Sequence, residues 1–288
     1  MITALDQRDW SGGAASSAPG IAEALERGAV LFCRQLPFAV RPDEAPLFSP
    51  QILTSAKNAS FDAVTGRIGG VTLEGADRER LRGLMQRFSE QSAALVDGLL
   101  PAYRGRILRA RTSFRPAEIA GRPSSWRKDD TRLHVDAFPA SPVQGRRILR
   151  VFSNVNPSGR PRSWRVGGEF GALVDRFAPA LSLPWAGQGW VLRTFRITKS
   201  LRTPYDALML QLHDRMKEDA AYQQGDPQTA VDFPAGTTWL TFTDSVSHAA
   251  MAGQYQLEQT FLLPVEAMLD ENRSPLRILE RRFGRRLA

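Results

Sequence analysis

Between Ile107 and Pro264 the chain breaks into short apolar runs of strand length. ILRARTSF, TRLHVDAF, RILRVFSNVN, WVLRTFRIT, TTWLTFT and QYQLEQTFLL each span about six to ten residues. Several alternate apolar and polar residues at period two, and Pro or Gly turns separate most of them. Runs this short bury their apolar faces by pairing into layers. One helix stands among them, Pro204 to about Tyr222, with Thr203 as N-cap and Pro204 in its first turn. Upstream, Leu81, Leu84, Met85, Phe88, Ser92, Leu95 and Leu99 recur at three- and four-residue steps, which predicts a helix from Asp77 to about Leu100, stopped by Pro101. A short helix (Ile21 to Arg27) and a strand (Ala29 to Leu36) come before it.

These elements predict an α+β chain, mainly β: a double-stranded β-helix of jelly-roll or cupin type, buttressed by helices. No repeat and no linker divides it, so the expectation is one domain over 1–288. Residues 1–20 read as a flexible lead-in (11–20 are only Ser, Gly, Ala and Pro), 21–106 as mainly helical support, 107–265 as the β core and 275–288 as a basic amphipathic helix.

At 288 residues the chain can bury a core without disulfides or metal. Its one cysteine, Cys33, excludes an internal disulfide framework and reads as a structural thiol within AVLFCRQL. No apolar run approaches the roughly 20 residues needed to span a bilayer, and the first residues lack a basic start followed by an apolar stretch. A cytoplasmic location is the resulting expectation. Lys and Arg number 38 against 30 Asp and Glu, a net charge of +8. That charge suits an anionic partner: nucleic acid, phospholipid headgroups or an acidic glycolipid. Zinc-finger, RNA-recognition and helix-turn-helix signatures are missing, which disfavours a basic nucleic-acid-binding module. In the last segment Leu276, Leu279, Phe283 and Leu287 share one helical face, with Arg277, Arg281, Arg282, Arg285 and Arg286 around it. Such a helix can lie on an anionic membrane surface or dock on its own domain.

The chain has three histidines. His213 lies beside the apolar stripe Leu208, Leu212 and Met216 and reads as a surface or boundary residue. His134 and Asp136 stand at i and i+2 in HVDAFP, so on a strand both point to one side. His248, after 111 intervening residues, follows a strand, on a short loop, with another strand starting near Gly253. Two imidazoles and one carboxylate are the facial set that holds non-haem Fe(II) with three positions open. A 2-oxoacid and O2 can use those positions to generate an oxidant for unactivated C–H bonds. The spacing alone leaves a hydrolytic zinc site open as well. A 2-oxoglutarate cosubstrate also needs a cation for its distal carboxylate. Glu258 and Gln259, about ten residues after His248, cannot serve. Arg150, fourteen residues past Asp136 on RILRVFSNVN, is the expected clamp, with Asn154 as a hydrogen-bond partner.

The stretch HVDAFPASPVQGRRILRVFSNVNPSGRPRSWRVGGEF resembles the Kdo hydroxylases, Fe(II)/2-oxoglutarate-dependent dioxygenases of Gram-negative bacteria. The resemblance runs over most of the chain and is densest at Ser125–Phe170 and Phe233–Pro264. It implies hydroxylation at C3 of Kdo (3-deoxy-D-manno-oct-2-ulosonic acid) in the lipopolysaccharide inner core, converting Kdo-lipid A to Ko-lipid A. It puts the iron ligands on His134, Asp136 and His248. Beside it, a basic rim becomes the expected contact for an acidic sugar on a phosphorylated lipid: Arg111, Ser113 and Arg115 on one strand, Arg127 and Lys128 before the metal strand, and Arg160, Arg162 and Arg165 with Trp164 in the loop after the clamp strand, of which Arg127, Arg165 and Trp164 are the leading candidates. The expected location is peripheral, on the cytoplasmic face of the inner membrane. An oxygenase of a protein or nucleic acid remains the alternative.

Overall fold

The computed structural model describes residues 1–12, 20–54, 57–225 and 227–288. Its strands are β1 (Ile2–Leu5), β2 (Val30–Cys33), β3 (Ala59–Phe61), β4 (Ile68–Gly69), β5 (Leu108–Arg115), β6 (Arg147–Asn154), β7 (Arg162–Val166), β8 (Thr229–Phe233), β9 (Thr238–Phe242), β10 (His248–Ala252) and β11 (Gln256–Leu263). They form an eight-stranded sheet in the order β1-β2-β9-β6-β11-β5-β3-β4 and a three-stranded sheet in the order β10-β7-β8. Pairing is antiparallel throughout except for the parallel pair β1 and β2. The helices are α1 (Ile21–Glu26), α2 (Gly75–Leu99), α3 (Phe170–Phe177), α4 (Gln188–Thr194), α5 (Pro204–Glu218), α6 (Ala220–Gly225) and α7 (Pro275–Phe283).

Period two decides how the layers stack. On β6, Leu149 and Val151 join the cluster that Leu84, Phe88 and Leu95 of α2 cover. Their neighbour Phe152 points to the opposite face, where the two sheets meet. There Phe152 stacks on Trp239 at 5.4 Å and Trp164 of β7 packs edge-on against both. Phe233 of β8 lies flat on Trp239 at 4.0 Å. Helices α3, α5 and α7 close a third cluster with Leu133, Val135 and Ile148. The arrangement is the jelly roll with helical buttresses that the strand pattern predicts. Cys33 is buried in β2, and desolvation pushes its thiol up to about 12, as fits a structural thiol.

Several expectations need correction. The first residues are not a loose lead-in. Ile2–Leu5 pair with β2, and Trp10 donates to Pro37 O at 3.0 Å while packing edge-on against Phe38 and Phe88. Gly98 of α2 touches the backbone of Ser11 and Gly12, an approach any Cβ would block. The Gly/Ala/Ser stretch 13–19 lies outside the described residues. WVLRTFRIT is not a strand. Its backbone closes local bonds instead, Val191 N to Gly187 O and Phe195 N to Val191 O, and its first residues lie in α4. TRLHVDAF makes a single bridge, because the Gln223 side chain takes both Leu133 N and Leu133 O, at 2.8 and 2.9 Å, in place of a neighbouring strand. His248 opens β10 rather than sitting in a loop, and Gly253 ends that strand.

The C-terminal helix takes the docked one of its two expected roles. Leu276, Leu279 and Leu287 are buried in the chain's own core, and Tyr205 N donates to Leu287 O at 3.0 Å. The apolar stripe of α7 is thus closed to a bilayer, and Arg277 is held by Glu271 and Glu280.

Candidate active site

The chain brings its two distant histidines together through their backbones. His134 N donates to His248 O at 3.0 Å, and His248 N returns the bond to His134 O at 2.9 Å. Two residues on, Asp136 N donates to Thr243 O at 2.8 Å, so Asp136 stays extended and its carboxylate falls on the His134 side. One ligand atom each from His134, Asp136 and His248 lie within 4.8 Å of one another, and among the described residues this is the group of three so placed. Each imidazole is oriented through its other nitrogen. Nδ1 of His134 donates to Arg132 O at 2.7 Å and Nδ1 of His248 to Val246 O at 2.8 Å, since a carbonyl only accepts. Both Nε2 lone pairs are left for a metal.

The electrostatics keep these groups in their ligating forms. Burial, reinforced by His248, lowers the His134 pKa, and burial lowers that of His248 against the pull of Asp136. Burial opposes ionisation of Asp136. Arg150, His248 and the Thr243 hydroxyl outweigh it and hold the carboxyl below its ordinary value. Neutral imidazoles and a charged carboxylate are the donor set for a divalent metal with an open face.

His134, Asp136 and His248 stand in a cavity of about 100 Å³ walled by Arg115, Asp130, Arg150, Phe152, Arg162, Trp164, Ala250, Gln256 and Glu258. Five buried polar atoms of its lining have no hydrogen-bond partner: Asp136 Oδ2, Arg150 Nε, Arg162 Nε, Trp164 Nε1 and Gln256 Oε1. Buried polar atoms are ordinarily paired, so a cluster of five marks a site built for a metal and a polar ligand. Arg150 already carries two carboxylates, Glu258 Oε1 at 2.9 Å and Asp136 Oδ2 at 3.2 Å, the latter off hydrogen-bond alignment. Arg115 shares Glu258 from the other side at 3.1 Å. Arg162 differs. Among the described residues it forms no salt bridge, only a hydrogen bond to Gly253 O at 2.5 Å, and burial, with Arg115 beside it, brings its pKa down to about 9 against the pull of Asp130, Glu258 and Glu118. A buried guanidinium with no carboxylate in direct contact is costly unless an anion meets it.

Gly253 makes this placement possible. Its φ is +106°, and an added Cβ would stand 2.8 Å from Pro161 O and 3.1 Å from Arg162 Cα. Gly253→Ala is expected to cost about 1–3 kcal/mol of stability, read as a lower urea midpoint at unchanged slope.

The other predicted site residues divide. Trp164 walls the cavity but is enclosed, stacked on the His248 ring at 5.1 Å, and presents no open face to a sugar. Asn154 is not at the cavity. Its amide donates to Arg160 O and Phe233 O and its oxygen accepts from Asn156 N, which fixes a turn. Arg127 stacks over Trp126 and pairs with Asp214 at 3.2 Å. Arg165 faces out of β7 and donates to Thr131 O and Gln223 O. Neither lines the cavity.

A second cavity of about 590 Å³ adjoins the first across Arg115, Arg150 and Glu258, which line both. Arg109, Arg111 and Ser113 of β5, Asn58 and the Phe138–Val143 segment also line it, with Asp62 as a further carboxylate in a mainly basic wall. Two features escaped the sequence reading. RSWRV is a strand, and its alternation points Arg162 and Trp164 inward together. His213 stands four residues after Met209 and three before Met216, on the buried edge of α5, and packs edge-on against His134 at 5.3 Å.

A family model described as 3-deoxy-D-manno-oct-2-ulosonic acid (Kdo) hydroxylase matches residues 10–286. The chain is similar to a crystal structure of the Kdo hydroxylase KdoO, a non-heme Fe(II) alphaketoglutarate-dependent dioxygenase, in complex with alphaketoglutarate and Fe(III). Identity is 45%, over 100% of this chain and 97% of that one, with a TM-score of 0.95. The cobalt(II) complex of that enzyme matches at 46% identity over 99% and 97%, TM-score 0.96. Its complex with succinate and Fe(III) matches at 45% over 99% and 97%, TM-score 0.95. No curated protein sequence matches the chain.

Proposed function

We propose, from the premise that this chain belongs to the Kdo hydroxylase family of Fe(II)/2-oxoglutarate-dependent dioxygenases, that its acceptor is Kdo joined to lipid A and that it inserts one oxygen at C3, giving Ko-lipid A. The observation that carries this reading is the group of unpartnered polar atoms around His134, Asp136 and His248, beside a larger basic cavity.

In this reading His134 Nε2, His248 Nε2 and one Asp136 oxygen hold the metal. Bound Fe(II), with 2-oxoglutarate and O2, supplies the oxidant for the C–H bond and leaves succinate and CO2. Arg150 orients Asp136. Arg162, with Trp164 Nε1 beside it, receives the distal carboxylate of the cosubstrate in a two-point, charge-assisted bond that burial strengthens. This moves the expected clamp from Arg150, which Glu258 and Asp136 already engage, to Arg162, which forms no salt bridge among the described residues. Phe152, Trp164 and Ala250 keep water from the reacting face. The larger cavity takes the sugar, with Arg109 and Arg111 toward its carboxylate and the lipid phosphates, in place of the expected Arg127 and Arg165. Because the acceptor is a membrane glycolipid, the working location is the cytoplasmic face of the inner membrane. No helix among the described residues is long and apolar enough to cross a membrane.

The test is incubation of the purified protein with Fe(II), 2-oxoglutarate and Kdo-bearing lipid A. Mass spectrometry is expected to show one added oxygen on the sugar, matched by succinate. Oxygen gained by a protein or nucleic acid, and none by the glycolipid, would point to the alternative acceptors.

A further inference from the structure

Between Asp175 and Asp206 the chain carries no acidic residue and five basic ones, Arg176, Arg193, Arg196, Lys199 and Arg202. Within that stretch, Trp185, Trp190, Phe195 and Ile197 are 58%, 65%, 73% and 57% exposed. Single apolar residues on a surface need no explanation, but four large ones so close together form a patch. The segment is held in place. Ile197 N and Thr198 N both close on Leu192 O, at 2.9 and 3.3 Å. Lys199 N donates to Ala140 O at 2.9 Å, Gln144 Nε2 donates to Leu201 O at 3.1 Å, and the Arg202 guanidinium donates to Pro139 O. These bonds tie it to the loop whose Pro139, Ala140 and Pro142 wall the larger cavity.

We infer that the segment from Trp185 to Lys199 is the surface on which the protein sits on an anionic lipid bilayer. Indole rings combine an apolar body with a polar N–H and settle at headgroup depth. Arg193, Arg196 and Lys199, all exposed, reach lipid phosphates from the same segment. Charge selects the occupant: the chain's net charge is +8, and no acidic residue in this stretch repels phosphate. The core of a protein–protein interface is depleted in charge, whereas here rings and cations alternate along the chain, as a bilayer boundary accepts. Seated this way, acyl chains stay in the bilayer while the sugar headgroup faces the cavity beside the 139–142 loop. The inference rests on the membrane-acceptor reading, and it moves the contact away from α7, whose leucines are buried.

The experiment is sedimentation of the full-length protein with phosphatidylethanolamine vesicles, with and without phosphatidylglycerol. The protein is expected to pellet with the phosphatidylglycerol vesicles and to be released by salt. The double variant Trp190→Ser/Phe195→Ser is expected to partition about tenfold more weakly, with unchanged circular dichroism and unchanged 2-oxoglutarate turnover without acceptor. If both proteins pellet equally, this segment is not the contact, although the membrane reading survives. If the unaltered protein stays in solution, the membrane location fails along with the segment, and hydroxylation of the glycolipid is tested separately by mass. A drop in oligomeric state in the double variant, by size-exclusion chromatography, would make the patch an interface between copies and overturn the inference.

Discussion

His134→Ala and His248→Ala each lower Fe(II) affinity by at least about a hundredfold and abolish succinate formation, while the protein stays folded. The magnitude follows from the site. Even partners that only orient a ligand are worth about 10–100-fold, and these residues supply the donor atoms themselves. Folding survives because the bonds joining the two segments are backbone bonds, His134 N to His248 O and its reciprocal, and alanine makes both. Removing a buried neutral imidazole leaves a small cavity but no unpaired charge. The measurements are Co(II) or Fe(II) titration of the purified variants, succinate release, and thermal unfolding. Full succinate release by either variant would remove the histidines from the metal site.

Arg162→Leu raises KM for 2-oxoglutarate by about 30- to 1000-fold and raises the unfolding midpoint at the same time. The affinity loss is the cost of removing one partner of a buried charge pair, about 2–4 kcal/mol. The gain in stability has the opposite sign because the free protein buries this guanidinium with one hydrogen bond, to Gly253 O, and no salt bridge among the described residues; burial and Arg115 outweigh the pull of Asp130, Glu258 and Glu118, and an apolar side chain of similar size relieves that burden. A purely structural arginine would lose stability instead, so the two readouts together separate the roles. Arg150→Ala serves as the comparison. It leaves Glu258 to Arg115 alone and frees Asp136, so its larger effect is on metal affinity. If Arg150→Ala raises KM more than Arg162→Leu does, the clamp belongs on β6.

Much of this site was legible because it rests on short-range geometry. Residues i and i+2 of an extended segment share a side whether or not a full strand forms, so His134 and Asp136 converge although TRLHVDAF makes only one bridge. The same rule, applied to RSWRV, would have found Arg162 beside Trp164. That segment was read as part of a basic loop, where alternation has no meaning. Asn154 was misplaced for the opposite reason: its position on β6 was right, but the partner that claims a side-chain amide is a tertiary fact.

The chain's own pattern determined the layers, the α2 stripe and the convergence of His134 with Asp136, because each depends on spacing along a backbone of known period. Tertiary structure alone decided that Arg150 is salt-bridged to two carboxylates and Arg162 to none among the described residues, that Trp164 is sealed against His248, that the leucines of α7 face inward, and that the rings from Trp185 to Phe195 face out. Burial and charge compensation depend on which distant segments come to rest against a side chain, and no local period encodes that.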